Sequence, residues 1–347
     1  MVPFAGFEMP VQYPTGITAE HNAVRQKCGL FDVSHMGEFL VTGAQAVEFV
    51  NHVTTNDVAA LTVGQVHYSG ILNDRGTFED DCLVYRFADH VMMVVNASNK
   101  DKDLAHISTQ LSKFDAHIED VSDSIALLAL QGPAAQKILQ SLVGVDLESI
   151  GYYHFVTGTV AGVHRIIISR TGYTGEDGFE LYFDAGPAVQ IWNALLDTGN
   201  VKPVGLGCRD SLRLEMGMAL YGNDIDDTVT PFEANLQWLV KMKKTGGFVG
   251  HAALEKQKLE GVPRKLVGFT IGDRSFPRHG YPVFVNGAPS GEVRSGTLSP
   301  SCNIAIGTAY VPTAHAKPGN TLEVEIRGKR LVGTIVALPF YKSATHR

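Results

Sequence analysis

The chain has 347 residues, of which 44% are apolar and 19% charged, and its formal net charge is -7. That length is too great for one hydrophobic core, so two or three domains are expected, and the composition excludes a disordered or fibrous chain. The negative balance argues against nucleic acid as the main partner, because phosphate neutralisation needs a basic surface.

Asn, Asp, Gly and Pro cut the sequence into many short elements. In Phe31-Asp32-Val33-Ser34-His35-Met36-Gly37-Glu38, His35 lies beside apolar residues and reads as a satisfied structural histidine. Residues 43–53 are a short helix candidate with Val47 and Val50 on one face. Asp80-Asp81 follows the turn Asn73-Asp74-Arg75-Gly76 and opens the strand-like Cys82-Leu83-Val84-Tyr85. Side chains alternate along a strand, so one of the two carboxylates should face inward. An inward carboxylate is costly unless it is hydrogen-bonded or its pKa is raised, which is how a positioned acid, base or electrostatic anchor is made. The alternative is a solvated start of the strand.

Residues 91–95 form a continuous apolar run that suits a buried strand. Ser98 can then cap a helix carrying Leu104, Ile107 and Leu111 at helical spacing. Residues 125–130 read as another buried strand, and Pro133 as a first-turn helix residue before Ile138, Leu139 and Leu142. The β-branched run Ile166-Ile167-Ile168 leads into Ser169-Arg170-Thr171-Gly172-Tyr173-Thr174-Gly175-Glu176-Asp177-Gly178-Phe179-Glu180 and resumes as Leu181-Tyr182-Phe183. This is a glycine-rich turn crowded with polar groups between two strands. It reads equally as a small-ligand site or as a hairpin with a solvated tip.

Pro187 opens a helix with Val189, Trp192, Leu195 and Leu196, ended by Gly199. In 204–215, a glycine-rich lead gives way to a helix with Asp210 and Ser211 as caps, placing Arg209 at its mouth, where the dipole also favours an anion. Arg213 suits an internal ion pair. The acidic stretch 221–227 resembles a calcium loop only superficially, since ligand spacing and the terminal glutamate are wrong. From about residue 262 the texture is strand and turn: 265–271, 283–285 and 321–326 are strand-like, Asn286-Gly287 is a hairpin signal, and Gly328 and Pro318-Gly319-Asn320 mark further turns. A separate all-β barrel or sandwich is expected there, after a mixed α+β region.

The four cysteines, Cys28, Cys82, Cys208 and Cys302, are scattered without Cys-x-x-Cys spacing. They predict reduced, mostly buried thiols, and with the histidines dispersed no metal site is expected. No apolar run reaches the ~18 residues of a membrane span, and the start has no signal-like region. A soluble, intracellular protein is expected. Nucleotide-binding, phosphate-loop, zinc-protease and serine-hydrolase motifs are all missing.

Together these segments resemble the aminomethyltransferase (T-protein) family of the glycine cleavage system. The likeness rests on Phe4-Ala5-Gly6-Phe7-Glu8-Met9-Pro10, on 31–38, 170–180, 209–215 and 221–226, and on Pro339-Phe340-Tyr341, in the family's order from end to end. Family members usually carry a further segment ahead of the one that opens at Met1, and the motif residues are untouched by that difference. The resemblance implies an α+β fold of three domains in a cloverleaf around a central folate site, the third being the C-terminal barrel. The domains are expected over 1–42 plus 124–225, over 43–123 plus 226–261, and over 262–347.

The implied reaction moves the aminomethyl group from the dihydrolipoyl arm of H-protein to tetrahydrofolate, giving 5,10-methylenetetrahydrofolate and ammonia, without metal or flavin. The expected partners are therefore tetrahydrofolate and lipoylated H-protein, in a bacterial cytoplasm or a mitochondrial matrix. By motif match Asp81 is the catalytic aspartate, Glu180 grips the pterin and Arg209 contacts folate. Met36, Tyr68, Leu83, Tyr85, Asn96, Tyr152 and Tyr173 match lining positions, and Arg347 falls near a tail contact. Glu176 and Asp177 are expected to shape the turn. A tetrahydrofolate-dependent demethylase and a non-catalytic folate-binding protein are the rival readings. The superfamily's oxidases carry a flavin-binding region with a dinucleotide fingerprint that this chain lacks.

Overall fold

The computed structural model describes residues 1–272 and 275–346, so Asp273, Arg274 and Arg347 lie outside it. In chain order, a hairpin of β1 (Val2–Phe4) and β2 (Phe7–Met9) leads to α1 (Ile17–Gln26), β3 (Gly29–Asp32), β4 (Gly37–Thr42) and α2 (Ala46–Val53). Next come β5 (Val66–Leu72), β6 (Phe78–Arg86), β7 (Val91–Val95), α3 (Lys100–Ser108), β8 (His117–Asp120), β9 (Ile125–Gln131) and α4 (Ala135–Gln140). They are followed by β10 (Phe155–Val160), β11 (Val163–Ser169), β12 (Gly178–Asp184), α5 (Ala188–Leu196), β13 (Lys202–Pro203), α6 (Leu206–Glu215) and α7 (His251–Glu260). The chain closes with β14 (Arg264–Ile271), β15 (Pro282–Val285), β16 (Ala288–Leu298), β17 (Ala305–Pro312), β18 (Thr321–Ile326) and β19 (Lys329–Val336).

Contacts divide the chain into two compact units, Met1–Ser69 with Asp81–Arg209 and Ala344–Arg347, and Gly70–Asp80 with Asp210–Ser343. In the first, a six-stranded sheet has the order β10-β11-β12-β9-β3-β13, antiparallel except for the short β13–β3 pair. Its core follows from alternation along β12. Phe179, Leu181 and Phe183 pack with Leu128, Leu130, Ile166, Ile168, Leu139, Ile191 and Leu195 in one buried cluster. Each such side chain contributes roughly 1.5–3 kcal/mol on burial. Glu180 and Tyr182, the residues between them, point the other way.

A five-stranded sheet has the order β5-β6-β7-β4-β8. In the second unit β14 to β19 close a six-stranded barrel around Phe269, Val283, Val293, Val311, Leu322, Val324 and Ile335. Two of its hairpins use the expected turn chemistry. Asn286 and Gly287 sit at φ 52° and 78°, and Arg327 and Gly328 at 51° and 76°. Left-handed backbone at both central positions matches the twist of the flanking strands.

Several helix boundaries differ from the sequence reading. Helix α6 begins at Leu206, so Asp210 and Ser211 lie inside it. Its first amides are met by tertiary partners instead: Gly205 N–H donates to Glu20 Oε2 at 2.9 Å, Leu206 N–H to the Pro10 carbonyl at 3.0 Å and Gly207 N–H to the Val11 carbonyl at 2.9 Å. Arg209 is therefore the fourth residue of the helix, not at its mouth, and the three amides ahead of Cys208 are already taken. Likewise α3 starts at Lys100 with no side-chain cap from Ser98, Leu111 falls beyond it in a 3-10 turn, and Pro133 precedes α4 while Leu142 follows it.

Candidate active site

The site begins on β6. Alternation puts Asp81, Leu83 and Tyr85 on one face of the five-stranded sheet and Asp80, Cys82 and Val84 on the other. The fully interior carboxylate of the pair is Asp80, with no exposed surface, while Asp81 is half-buried. Tyr68 Oη donates to Asp81 Oδ2 at 2.8 Å, and Asn96 Nδ2 donates to Asp81 Oδ1 at 2.9 Å. Both carboxylate oxygens are thus held, from β5 on one side and from the end of β7 on the other. Leu83 pairs across the ladder with Val94, and Tyr85 with Met92. The β4–β7 ladder ends at Gly37 and Val95, one step before Met36 and Asn96. Met36 is therefore set in the same row as Asn96 and Asp81.

A second cluster lies on the inward face of β12. The Thr171 hydroxyl donates to Glu180 Oε2 at 2.5 Å, and Tyr85 and Tyr182 join their hydroxyls at 2.9 Å with rings edge-to-face. Burial pushes the Glu180 carboxyl above its usual range, and Thr171 and the positive Arg209 pull it back. The phenols of Tyr68, Tyr85, Tyr152, Tyr153 and Tyr182 are all pushed up, first by burial. For the last four, the Glu180 charge adds to the shift. They remain protonated donors around that carboxylate. The guanidinium of Arg209 lies 4.8 Å from the centre of the Tyr173 ring.

The turn 170–177 that joins β11 to β12 is built from buried ion pairs, so it is no solvated tip. Arg170 forks onto Asp177 at 2.9 and 2.8 Å, and Arg25 bonds Glu176 at 2.8 Å. Gln131 fills the turn, donating to the Thr171 carbonyl at 3.0 Å and accepting from Thr174 Oγ1 at 2.9 Å. A Cβ on Gly172 would meet Gln131 Oε1 at 2.0 Å, which is why glycine stands there. Thr345 bonds Glu176 at 2.5 Å, and the His346 ring lies 5.3 Å from Tyr152. The chain's end thus rests on the turn, and Arg347 itself lies outside the described residues.

The sequence profile of the GCVT N-terminal domain matches residues 1–244, and that of the glycine cleavage T-protein C-terminal barrel domain matches 264–342. Aminomethyltransferase of Flavobacterium psychrophilum is 47% identical over 347 residues, covering 99% of this chain and 95% of the relative. That of Thermosipho melanesiensis is 48% identical over 346 residues, covering 99% and 94%. The crystal structure of glycine cleavage system aminomethyltransferase T from Bartonella henselae superposes with a TM-score of 0.94 at 36% identity, covering 100% of this chain and 95% of that one. The chain belongs to the aminomethyltransferase family of the glycine cleavage system.

As an aminomethyltransferase of that system it is a transferase, with the mixed helix–sheet fold and closed C-terminal barrel expected. The structure brings Tyr68, Asn96 and Asp81 into direct contact, and gathers Tyr85, Tyr152 and Arg209 around Glu180. Sequence reasoning missed Tyr182, Tyr153 and Thr171. Tyr182 had a signal, being two residues beyond Glu180 on the same strand. Tyr153 had none: its backbone is left-handed at φ 58°, held by bonds to the Arg170 carbonyl and the Val66 amide. His35 is buried between the edges of Phe4 and Phe7, yet its Nδ1 has no hydrogen-bond partner among the described residues, so it is less satisfied than expected.

In the acidic stretch 221–227, Asp224 bonds Arg213 at 2.6 Å and Asp226 pairs with Arg294, so both carboxylates serve ion pairs. Cys28, Cys82 and Cys208 are buried. Among the described residues no group of three or more His, Cys, Asp or Glu is arranged to hold a metal ion, and no helix is long and apolar enough to cross a membrane.

Proposed function

We propose that this chain transfers the aminomethyl carbon carried by the dihydrolipoyl arm of H-protein to tetrahydrofolate, releasing ammonia and giving 5,10-methylenetetrahydrofolate and the reduced arm. The observation that carries this reading is the Asp81 carboxylate, fixed by Tyr68 and Asn96 on a sheet face that also carries Leu83, Val94, Tyr85 and Met92. The donor set fits the folate. A pterin presents adjacent N–H groups, and the buried Glu180 offers one carboxylate to both, while aromatic and apolar side chains suit a flat ring. When bound, tetrahydrofolate supplies the nucleophilic nitrogen.

Asp81, with its two donors, is a rigid acceptor for a proton leaving the reacting centre, and Tyr68 and Asn96 keep it from turning away. Arg209, stacked on Tyr173, is a cation for the anionic part of the folate. Holding both reactants in place supplies much of the rate. Met36, Leu83, Tyr85, Asn96 and Tyr152 complete the lining. The reaction needs neither metal nor flavin, and the bacterial relatives support a cytoplasmic setting.

The three-part division over 1–42 plus 124–225, 43–123 plus 226–261, and 262–347 belongs to the same proposal. Pairing of β4 with β7 and β8 favours moving its first boundary ahead of Gly37. The test is to supply purified protein with tetrahydrofolate and aminomethylated H-protein. Equal yields of methylenetetrahydrofolate and ammonia are expected. Turnover of free methylated amines or sulfur compounds, with none from H-protein, overturns the reading in favour of a demethylase.

A further inference from the structure

Glu38 is the anomaly of this sheet. It lies on β4 with only 1% of its surface exposed, and neither Oε1 nor Oε2 has a hydrogen-bond partner among the described residues. Its backbone is fully used: the N–H donates to Ser122 Oγ at 2.9 Å and the carbonyl accepts from the Val121 N–H at 3.0 Å. The side chain's direction follows from register. Glu38 pairs with Val94, and Val94 with Leu83. These three form the row next to Met36, Asn96 and Asp81, on the same face, because residues two apart on a strand share a face. The next row is Leu40, Met92 and Tyr85. Tyr182, on the inward face of β12, lies within electrostatic reach of Glu38.

An apolar side chain would serve packing better at this position, since its row-mates are leucine and valine. A buried carboxyl without a partner among the described residues asks for one from outside them, such as a bound ligand. We propose that Glu38 is a further ligand-contacting residue of this site, hydrogen-bonding the flat, donor- and acceptor-edged ring of bound tetrahydrofolate. The inference rests on the folate reading above. Burial, reinforced by Asp120 and opposed by Lys100, lifts the carboxyl to about 9. At neutral pH it therefore presents one O–H donor and one carbonyl acceptor.

The test is calorimetric titration of tetrahydrofolate into the full-length protein and two variants, with thermal melts alongside. Glu38→Gln keeps a donor and an acceptor and should bind within about threefold of the native protein. Glu38→Met removes both while filling the space, and should bind about tenfold more weakly yet melt no lower. Methionine binding like the native protein overturns the proposal, and so does glutamine binding as weakly as methionine. A native protein that binds no tetrahydrofolate overturns the folate reading itself, which separates that failure from a failure at Glu38. Should the methionine variant not fold, the carboxyl carbon resonance of Glu38, assigned by its loss in Glu38→Gln, decides. It should shift when tetrahydrofolate is added, and an unmoved resonance contradicts the contact.

Discussion

Glu180 shows how one side chain is prepared by its surroundings. It is 7% exposed, bonded by Thr171 and ringed by phenols that stay protonated, and its desolvation is only partly offset by Thr171 and then Arg209. Charge-assisted hydrogen bonds contribute roughly 1.5–3 kcal/mol each. Glu180→Ala should therefore weaken tetrahydrofolate binding about 10- to 100-fold, read by titration, and an unchanged affinity removes Glu180 from the site. Asp81 differs in kind. It is half-buried, and two neutral donors fix its orientation.

At the scale of elements, the turn between β11 and β12 owes its shape to Gln131 filling the space over Gly172. Gly172→Ala should cost about 1–3 kcal/mol by overpacking, and much less in a Gln131→Ala background, where the clash is gone. Equal costs in the two backgrounds, measured by denaturant unfolding, contradict this packing. The turn itself was legible, because glycines and polar residues between two β-branched runs leave few alternatives. So were the barrel hairpins, where Asn286-Gly287 demands left-handed backbone. Helix starts were not legible at α6, since its amides are capped by Pro10, Val11 and Glu20 from far along the chain. The same limit governs the site. Alternation along β6 separates Asp81 from Asp80, but only register sets Glu38 in the row beside Asn96 and Asp81.

At the scale of the whole molecule, each compact unit carries its own polar core. In the second, Arg213 bonds Asp210 at 2.6 Å, Asp224 at 2.6 Å and Ser295 at 2.8 Å, and is almost fully buried. Arg213→Met should destabilise this unit by about 3–5 kcal/mol, because the buried Asp224 carboxyl loses its ion-pair partner. A loss below about 1 kcal/mol in denaturant unfolding contradicts that account. The first unit holds the catalytic proposal, and one comparison tests it most directly: turnover and tetrahydrofolate affinity of Asp81→Asn, measured on the same preparation with aminomethylated H-protein. Turnover should fall by about 100-fold or more while the folate dissociation constant stays within a few-fold. Near-normal turnover, or a loss of folate binding as large as that of Glu180→Ala, would contradict the assignment of Asp81 as the catalytic carboxylate.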